Sequence, residues 1–249
     1  MVEQTPARQQ ASVVAIAAPV PDVRILRVRL ADSRILGFEA GQYVRLWFGA
    51  LPPREYSLGN RPGERDLEFH IRVNAERGAG KYVGEQLKVG HEIGVAGPFG
   101  AAFLRRDHKG PVLAIAGGTG IVPIRSIVAT ALATGMMAPL HLYWGARTAA
   151  DLYAEAGFLE LARAHRNLTV VCSVVEPDKA AGHPVGNVSD LVAGAFPWLS
   201  GFKCYVAGPP AMVVAAQRVL LSRGVPEGDV HADPFVPGDH HSSNVVVMQ

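Results

Sequence analysis

Pro111-Val-Leu-Ala-Ile-Ala-Gly-Gly-Thr-Gly-Ile-Val-Pro123 decides how this chain is read. Val112 to Ala116 is an unbroken apolar run, too short for a helix and suited to a strand buried on both faces. Gly117, Gly118 and Gly120 then permit a tight turn, and Thr119 contributes a hydroxyl. Pro123 fits a first helical turn, where a missing N–H is no loss. Ile124, Ile127, Val128, Ala131 and Leu132 follow at helical spacing. Strand, glycine turn and helix start gather free N–H groups and the positive end of a helix dipole at one point. That point suits an anion such as a nucleotide pyrophosphate. The spacing is not G-x-G-x-x-G, so the stretch alone is also compatible with an αβ turn that binds nothing.

Downstream the pattern alternates strand and helix. His141–Trp144, Leu168–Val174, Lys203–Ala207 and Val230–Phe235 read as strands; Leu152–Ala164 and Pro210–Arg223 read as helices, with Gly224 as a cap. Such alternation predicts a parallel sheet with right-handed crossovers. Upstream the texture is β. Strands are expected at Val13–Ile16, Val23–Leu30, Gly41–Phe48, Arg54–Leu58, Leu67–Val73 and Ile93–Pro98, with one helix at Lys81–Leu87. Short strands separated by turns predict a six-stranded antiparallel Greek-key barrel. The expected organisation is therefore two-domain, β followed by α/β. Residues 1–10 read as a disordered tail, 11–106 as the barrel, 107–235 as the α/β domain and 236–249 as a C-terminal tail with a patch at Val245–Val247.

Bulk properties exclude several functions. The chain has 249 residues, 49% of them hydrophobic and 18% charged, enough for a substantial core. Mean hydropathy of +0.15 comes from scattered Ala and Val, and no run approaches the ~18 apolar residues of a membrane span. A net charge of +2 is too mild to imply nucleic acid. Cys172 and Cys204 lie in apolar strands and read as buried thiols; two cysteines fall short of the four ligands of an iron–sulfur cluster. His231, His240 and His241 lack the ligand spacing of a metal site. Trp144 and Trp198 read as packing residues.

Six segments occur in order between Val13 and Phe235: Arg54-Glu-Tyr-Ser57, Leu67-Glu-Phe-His-Ile-Arg72, Gly97-Pro-Phe-Gly100, the Gly117–Pro123 turn, Tyr143-Trp-Gly-Ala-Arg147 and Ala207-Gly-Pro-Pro210. With these the chain resembles the ferredoxin–NAD(P)+ reductase family, and most of all the reductase module of bacterial aromatic-ring dioxygenase systems. The resemblance implies that Arg54 pairs with a flavin phosphate, Tyr56 lies against the isoalloxazine and Ser57 hydrogen-bonds near its N5 edge. Backbone from His70 through Ile71 and Arg72 to Val73 would run beside the flavin nucleotide. Gly78, Gly80, Lys81 and Tyr82 would start the barrel's helix, with amides aimed at the pyrophosphate. Many relatives have Ser or Thr near that helix start, so FAD is expected and FMN is the alternative. Gly117, Gly118 and Thr119 would take the pyrophosphate of the nicotinamide nucleotide. Gly208, Pro209 and Pro210 would flank its ring; Ala207 stands where many relatives have Cys. Asp233 and Phe235 would approach the flavin, Phe235 covering the ring until nicotinamide displaces it. Arg147 is the one candidate for a 2′-phosphate, and Ala146 adds no hydroxyl, so NADH is expected over NADPH.

The function so implied is a cytoplasmic flavoprotein reductase. It passes hydride from NAD(P)H to FAD N5, and single electrons to a separate ferredoxin or iron–sulfur oxygenase component. Two alternatives are a free-flavin reductase and a redox-silent nucleotide-sensing or scaffold subunit.

Overall fold

Alternating side chains build the first half. Its strands are β1 (Gln9–Val20), β2 (Val23–Leu30), β3 (Tyr43–Trp47), β4 (Arg54–Ser57), β5 (Leu67–Arg72) and β6 (Glu92–Phe99). They form one antiparallel sheet in the order β4-β3-β6-β1-β2-β5. The two end strands approach each other, and Gly59 N–H donates to the Glu68 carbonyl at 2.8 Å. The sheet thus curls round a core that includes Leu26, Val28, Val44, Leu46, Phe48, Leu67, Phe69 and Val95. Helix α1 (Gly78–Glu85) covers one opening with Ala79 and Val83.

The computed structural model describes residues 6–73, 76–177 and 182–236. Two of its boundaries move into segments expected otherwise. Gln9 and Gln10, expected in a tail, pair with Val95 and Gly94 of β6; polar side chains do not prevent backbone pairing at a sheet position open to water on one face. Helix α1 starts at Gly78 rather than Lys81, because Gly78 adopts φ +74°, a turn conformation that reverses the chain before the helix. The remainder of the C-terminal tail, with His240, His241 and Val245–Val247, lies outside the described residues.

The second half is a parallel sheet in the order β11-β10-β7-β8-β9, from β7 (Val112–Gly117), β8 (Leu140–Ala146), β9 (Leu168–Val174), β10 (Lys203–Gly208) and β11 (Val230–Pro234). The apolar run on β7 divides by parity. Ala114 and Ala116 join the core under α2 (Ile121–Ala133) and α3 (Glu155–Ala164). Leu113 and Ile115 join the core under α4 (Val188–Ala195) and α5 (Pro210–Ser222). Both faces are covered, as a doubly apolar strand requires. Helix α4 was not expected from sequence: it is eight residues long, and two turns carry little periodicity. Helix α3 begins three residues later than expected, because Thr148 and Asp151 form a capping box that closes a separate 3-10 turn over Ala149–Asp151. Cys172 and Cys204 are buried free thiols, and burial pushes the Cys204 thiol up to about 12. Trp144 is fully buried, whereas Trp198 is 65% exposed and lays its ring along Gly224. The connector between the halves is pinned where Arg105 N–H donates to the Tyr205 hydroxyl at 2.8 Å.

Candidate active site

Two glycine loops meet at the head of the parallel sheet. β7 and β10 are neighbours, and the chain runs outward from them in opposite directions, so a crevice opens between their carboxyl ends. Gly118 takes φ +52°, and Trp144 Nε1 donates to its carbonyl at 3.0 Å, which fixes the turn from beneath. A Cβ on Gly120 would collide with the Ala207 carbonyl and stand 2.8 Å from Gly208 Cα. A Cβ on Gly117 would stand 2.9 Å from Pro209 Cδ. Close approach of the two loops therefore demands these glycines. No side chain caps α2 or α5, whose first turns begin at Ile121 and Pro210 beside the crevice. Above Gly118 there is room: the nearest group to a Cβ there is Arg72 Nη2, at 3.5 Å, reaching across from the barrel.

The barrel supplies the facing wall. Pairing of β3 with β4 sets Tyr43 opposite Ser57, Val44 opposite Tyr56, Arg45 opposite Glu55 and Leu46 opposite Arg54. Tyr56 packs edge-on against Phe48, 6.0 Å between centroids, and burial raises its phenol to about 12, so it stays a neutral donor at physiological pH. Ser57 is 9% exposed. At the start of α1 no side chain caps the first turn, and the space beside Gly78 is open. Lys81 leans along the helix to Glu85 at 3.8 Å, and Tyr82 packs near Phe48 at 6.2 Å.

The last described strand joins the two walls. Phe235 N–H donates to the Gly208 carbonyl at 2.8 Å, and Asp233 pairs in register with Ala207. Burial, then the charge of Glu55 on β4, pushes the Asp233 carboxyl up to about 6. Asp233 in turn acts on the Tyr43 phenol, which is raised mainly by burial. Asp233, near the end of β11, thus lies within electrostatic reach of Glu55 and Tyr43 on the β3–β4 pair that carries Tyr56 and Ser57.

Other residues singled out from the sequence turn their side chains elsewhere. His70 faces Tyr153 and Glu68, Ile71 fills the barrel core, and Arg72 pairs with Asp22 and, at 3.6 Å, Asp151. Val73 N–H is taken by the Asp22 carbonyl at 2.8 Å. β5 is the end strand of its sheet, which leaves one backbone edge for a ligand. Arg147 is exposed and pairs with Glu176 at 3.2 Å. His231 stacks on Tyr205 at 5.2 Å, and among the described residues no His/Cys/Asp/Glu group could hold a metal ion. Sequence reasoning passed over Trp144 as a support of the glycine turn, and over Glu68, Arg125 and Tyr153 at the domain seam.

Comparison with known proteins agrees with this geometry. Residues 10–103 match the oxidoreductase FAD-binding domain family, and residues 114–218 match the oxidoreductase NAD-binding domain family. The ferredoxin–NAD(P)+ reductase component of the naphthalene 1,2-dioxygenase/salicylate 5-hydroxylase systems of Ralstonia sp. is 39% identical over 226 residues, covering 91% of this chain and 68% of its own. The corresponding component of the Pseudomonas putida naphthalene 1,2-dioxygenase system is 38% identical, covering 91% and 69%. The chain belongs to the ferredoxin–NAD(P)+ reductase family. Among solved structures, the Amycolatopsis cytochrome P450 reductase GcoB superposes with a TM-score of 0.84 at 33% identity, covering 93% of the reductase and 70% of GcoB. The ferredoxin reductase of a carbazole 1,9a-dioxygenase system gives 0.83 at 29%, covering 92% and 70%. The reductase is an NAD(P)H-dependent flavin oxidoreductase. Its residues fit both groups: one uncapped helix start with open space before it on the barrel, and a side-chain-free glycine cradle on the sheet.

Proposed function

We propose that the reductase holds FAD on the barrel, takes hydride from NADH bound at the glycine turn, and hands electrons singly to a separate iron–sulfur protein. One observation carries this reading: the glycine turn and the Gly208–Pro210 loop abut each other beneath Arg72 of β5, and β11, tied to Gly208, brings Asp233 within electrostatic reach of Glu55 on β4, so one crevice can serve both cofactors. When bound, FAD accepts the hydride at N5 and can release its electrons one at a time.

The chain's own tasks are position and electrostatics. Arg54 neutralises a flavin phosphate, Tyr56 lies along the ring and the Ser57 hydroxyl meets the N5 edge. Amides of Gly78, Gly80, Lys81 and Tyr82 point at the flavin pyrophosphate, and the free edge of β5 from His70 to Val73 runs alongside. Gly117, Gly118 and Thr119 hold the nicotinamide nucleotide's pyrophosphate from below, with Arg72 above it. Gly208, Pro209 and Pro210 flank the nicotinamide, and Phe235 covers the flavin between turnovers. Glu176 beside Arg147 would repel a 2′-phosphate, which favours NADH.

The acceptor lies outside these 249 residues, because two enclosed cysteines cannot supply a cluster's four ligands. The Ralstonia and Pseudomonas putida relatives are ferredoxin–NAD(P)+ reductase components of naphthalene dioxygenase systems, so a ferredoxin or an iron–sulfur oxygenase component is the partner we assign. No helix among the described residues is long and apolar enough to cross a membrane. We place the reductase in the cytoplasm, where Cys172 and Cys204 would remain thiols.

A visible spectrum of the purified protein without air tests the whole reading. Flavin bands that bleach at lower concentrations of NADH than of NADPH are expected, with cytochrome c reduction rising when a small ferredoxin is added. A colourless protein that binds no flavin would refute it. Flavin that leaves on gel filtration and is reduced only when added back would make the protein a free-flavin reductase.

A further inference from the structure

Along the seam beside the crevice, the polar face of β5 meets the nucleotide-binding half. Glu68 is 6% exposed, and its carboxylate gathers three donors. Arg125 of α2 and His70 Nε2, the latter at 3.1 Å, share Oε1, while Arg27 reaches Oε2 at 3.3 Å. The other ring nitrogen, Nδ1, lies 2.9 Å from the Tyr153 hydroxyl, so the imidazole bridges Glu68 and Tyr153. Burial raises the Tyr153 phenol and keeps it a donor. Every polar group in this cluster thus has a partner. Arg125 also donates to the Gly59 carbonyl at 3.0 Å, and Ser126 to the Asn60 carbonyl at 2.6 Å.

Position in the chain gives the cluster its meaning. Arg125 sits on the first turns of the helix that leaves the glycine turn, and Gly59–Asn60 follows Ser57 after one intervening residue, Leu58. The cluster is therefore a short, rigid path between the two cofactor cradles. Apolar packing does not fix the angle on this flank. A groove of about 700 Å³ separates Ala17 and Ile25 of the barrel from Phe158 and Leu161 of α3. Close contact is instead made at points such as Gly59 against Val122 and Gly41 against Ile127.

We propose that Glu68, His70, Tyr153 and Arg125 form a positioning clamp that sets the angle between the two halves, and so the registry of nicotinamide over flavin. None of the four touches a reacting atom. The kinetic part of this inference rests on the function proposed above; the structural part does not.

The test compares Glu68→Gln, Tyr153→Phe, His70→Phe and His70→Gln in the flavin-loaded protein. Anaerobic stopped-flow reads flavin reduction at saturating NADH, and amide hydrogen exchange reads residues 58–70 and 121–127. Glu68→Gln should slow flavin reduction roughly tenfold or more, with flavin content and half-saturation by NADH unchanged and seam exchange faster, and His70→Phe should slow the reduction of whatever flavin it binds by a similar factor. Tyr153→Phe, which removes one oxygen, should give a smaller change in the same direction. His70→Gln should recover most of the rate, since its amide can donate to Glu68 and accept from Tyr153. Unchanged reduction rates in Glu68→Gln and Tyr153→Phe would overturn the clamp, even with faster exchange, because the cluster would then be structural only. Loss of flavin from Glu68→Gln or Tyr153→Phe would overturn it as well, because the cluster would then act through flavin binding rather than through the angle between the halves. Should Glu68→Gln fail to fold, Tyr153→Phe decides alone. If the wild-type flavin is not reduced by NADH at all, the proposed function fails, and the exchange comparison still reports on the clamp.

Discussion

Two carboxylates lie along the domain seam, Asp233 half-buried and Glu68 buried, and their surroundings push them in opposite directions. At the crevice, burial and the neighbouring Glu55 raise Asp233 to about 6. On the β5 face burial also opposes ionisation of Glu68, but the His70 hydrogen bond together with Arg125 and Arg27 outweighs it and lowers the pKa. The crevice sets its carboxylate near glycine loops and an acidic neighbour; the β5 face is built of side chains whose charges are matched. The difference fits two tasks. Charged ligands must enter and leave the crevice, so it presents amides and glycine. The seam must hold one angle, so it presents groups that satisfy each other.

The sharpest way to break the crevice is Gly120→Ala. Its Cβ has nowhere to go but into the backbone of the β10 loop, which no rotamer relieves. We expect a loss of about 3 kcal/mol or more in urea unfolding. Stability within roughly 1 kcal/mol of wild type would mean the two loops can separate, and the convergence argued here would fail. Arg54→Ala should come next. Losing a charge-assisted contact to phosphate costs on the order of 2–3 kcal/mol, so flavin affinity should fall roughly a hundredfold while the apoprotein still folds. Equilibrium dialysis with FAD reads this directly; a variant as yellow as wild type at micromolar concentration removes the phosphate role.

The contrast between the two regions also explains what could be read from the sequence. The doubly apolar strand at Val112–Ala116 and the glycines behind it are local signals, and they placed the parallel sheet and its anion-sized turn. Leu67-Glu-Phe-His-Ile-Arg72 was legible as a strand because its residues alternate. What covers its polar face was not legible. Glu68, His70 and Arg72 on one side of a strand look like a solvated surface, yet they meet Arg125, Tyr153 and Asp151 from elements more than 50 residues away. Such a buried face depends on docking of the second half, which no window of sequence contains. The same holds for Trp144, whose indole supports Gly118 from the neighbouring strand.

Asp233→Asn sharpens the electrostatic side of the comparison. Because the folded-state pKa is raised from 3.8 to about 6, the native protein binds more protons than the unfolded chain between those values. The contribution of Asp233 therefore favours folding below pH ~4 and is lost as pH rises through about 6. Glu68 has the opposite sign: its stabilisation is present above the unfolded carboxylate pKa of ~4.3 and disappears only as pH falls through its lowered native value. Asp233→Asn should gain on the order of 2 kcal/mol at pH 7 and flatten the slope of stability between pH ~4 and ~6. Melts of the apoprotein across that range would show it. An unchanged slope would mean that Asp233 is well solvated and out of electrostatic reach of Glu55 on β4.

The smallest effect belongs to the rim. Arg147 and Glu176 are both largely exposed, so their ion pair contributes about 0–1 kcal/mol to stability, and Arg147→Ala should leave the melting temperature and the KM for NADH nearly unchanged. Glu176→Gln is the informative partner. With the acidic neighbour neutralised, the guanidinium is released toward the position of a 2′-phosphate, and repulsion of that phosphate ends at the same time. Both changes act only on NADPH. The ratio of kcat/KM for NADH over NADPH should therefore fall by roughly three- to tenfold, through KM for NADPH, and the shift should shrink as salt rises because the charges are open to solvent. A ratio that does not move would take Arg147 out of nucleotide discrimination and leave the preference to backbone shape beyond β8. It would also extend the contrast: even at its outer rim, the crevice would then select by what its backbone admits rather than by what its side chains attract.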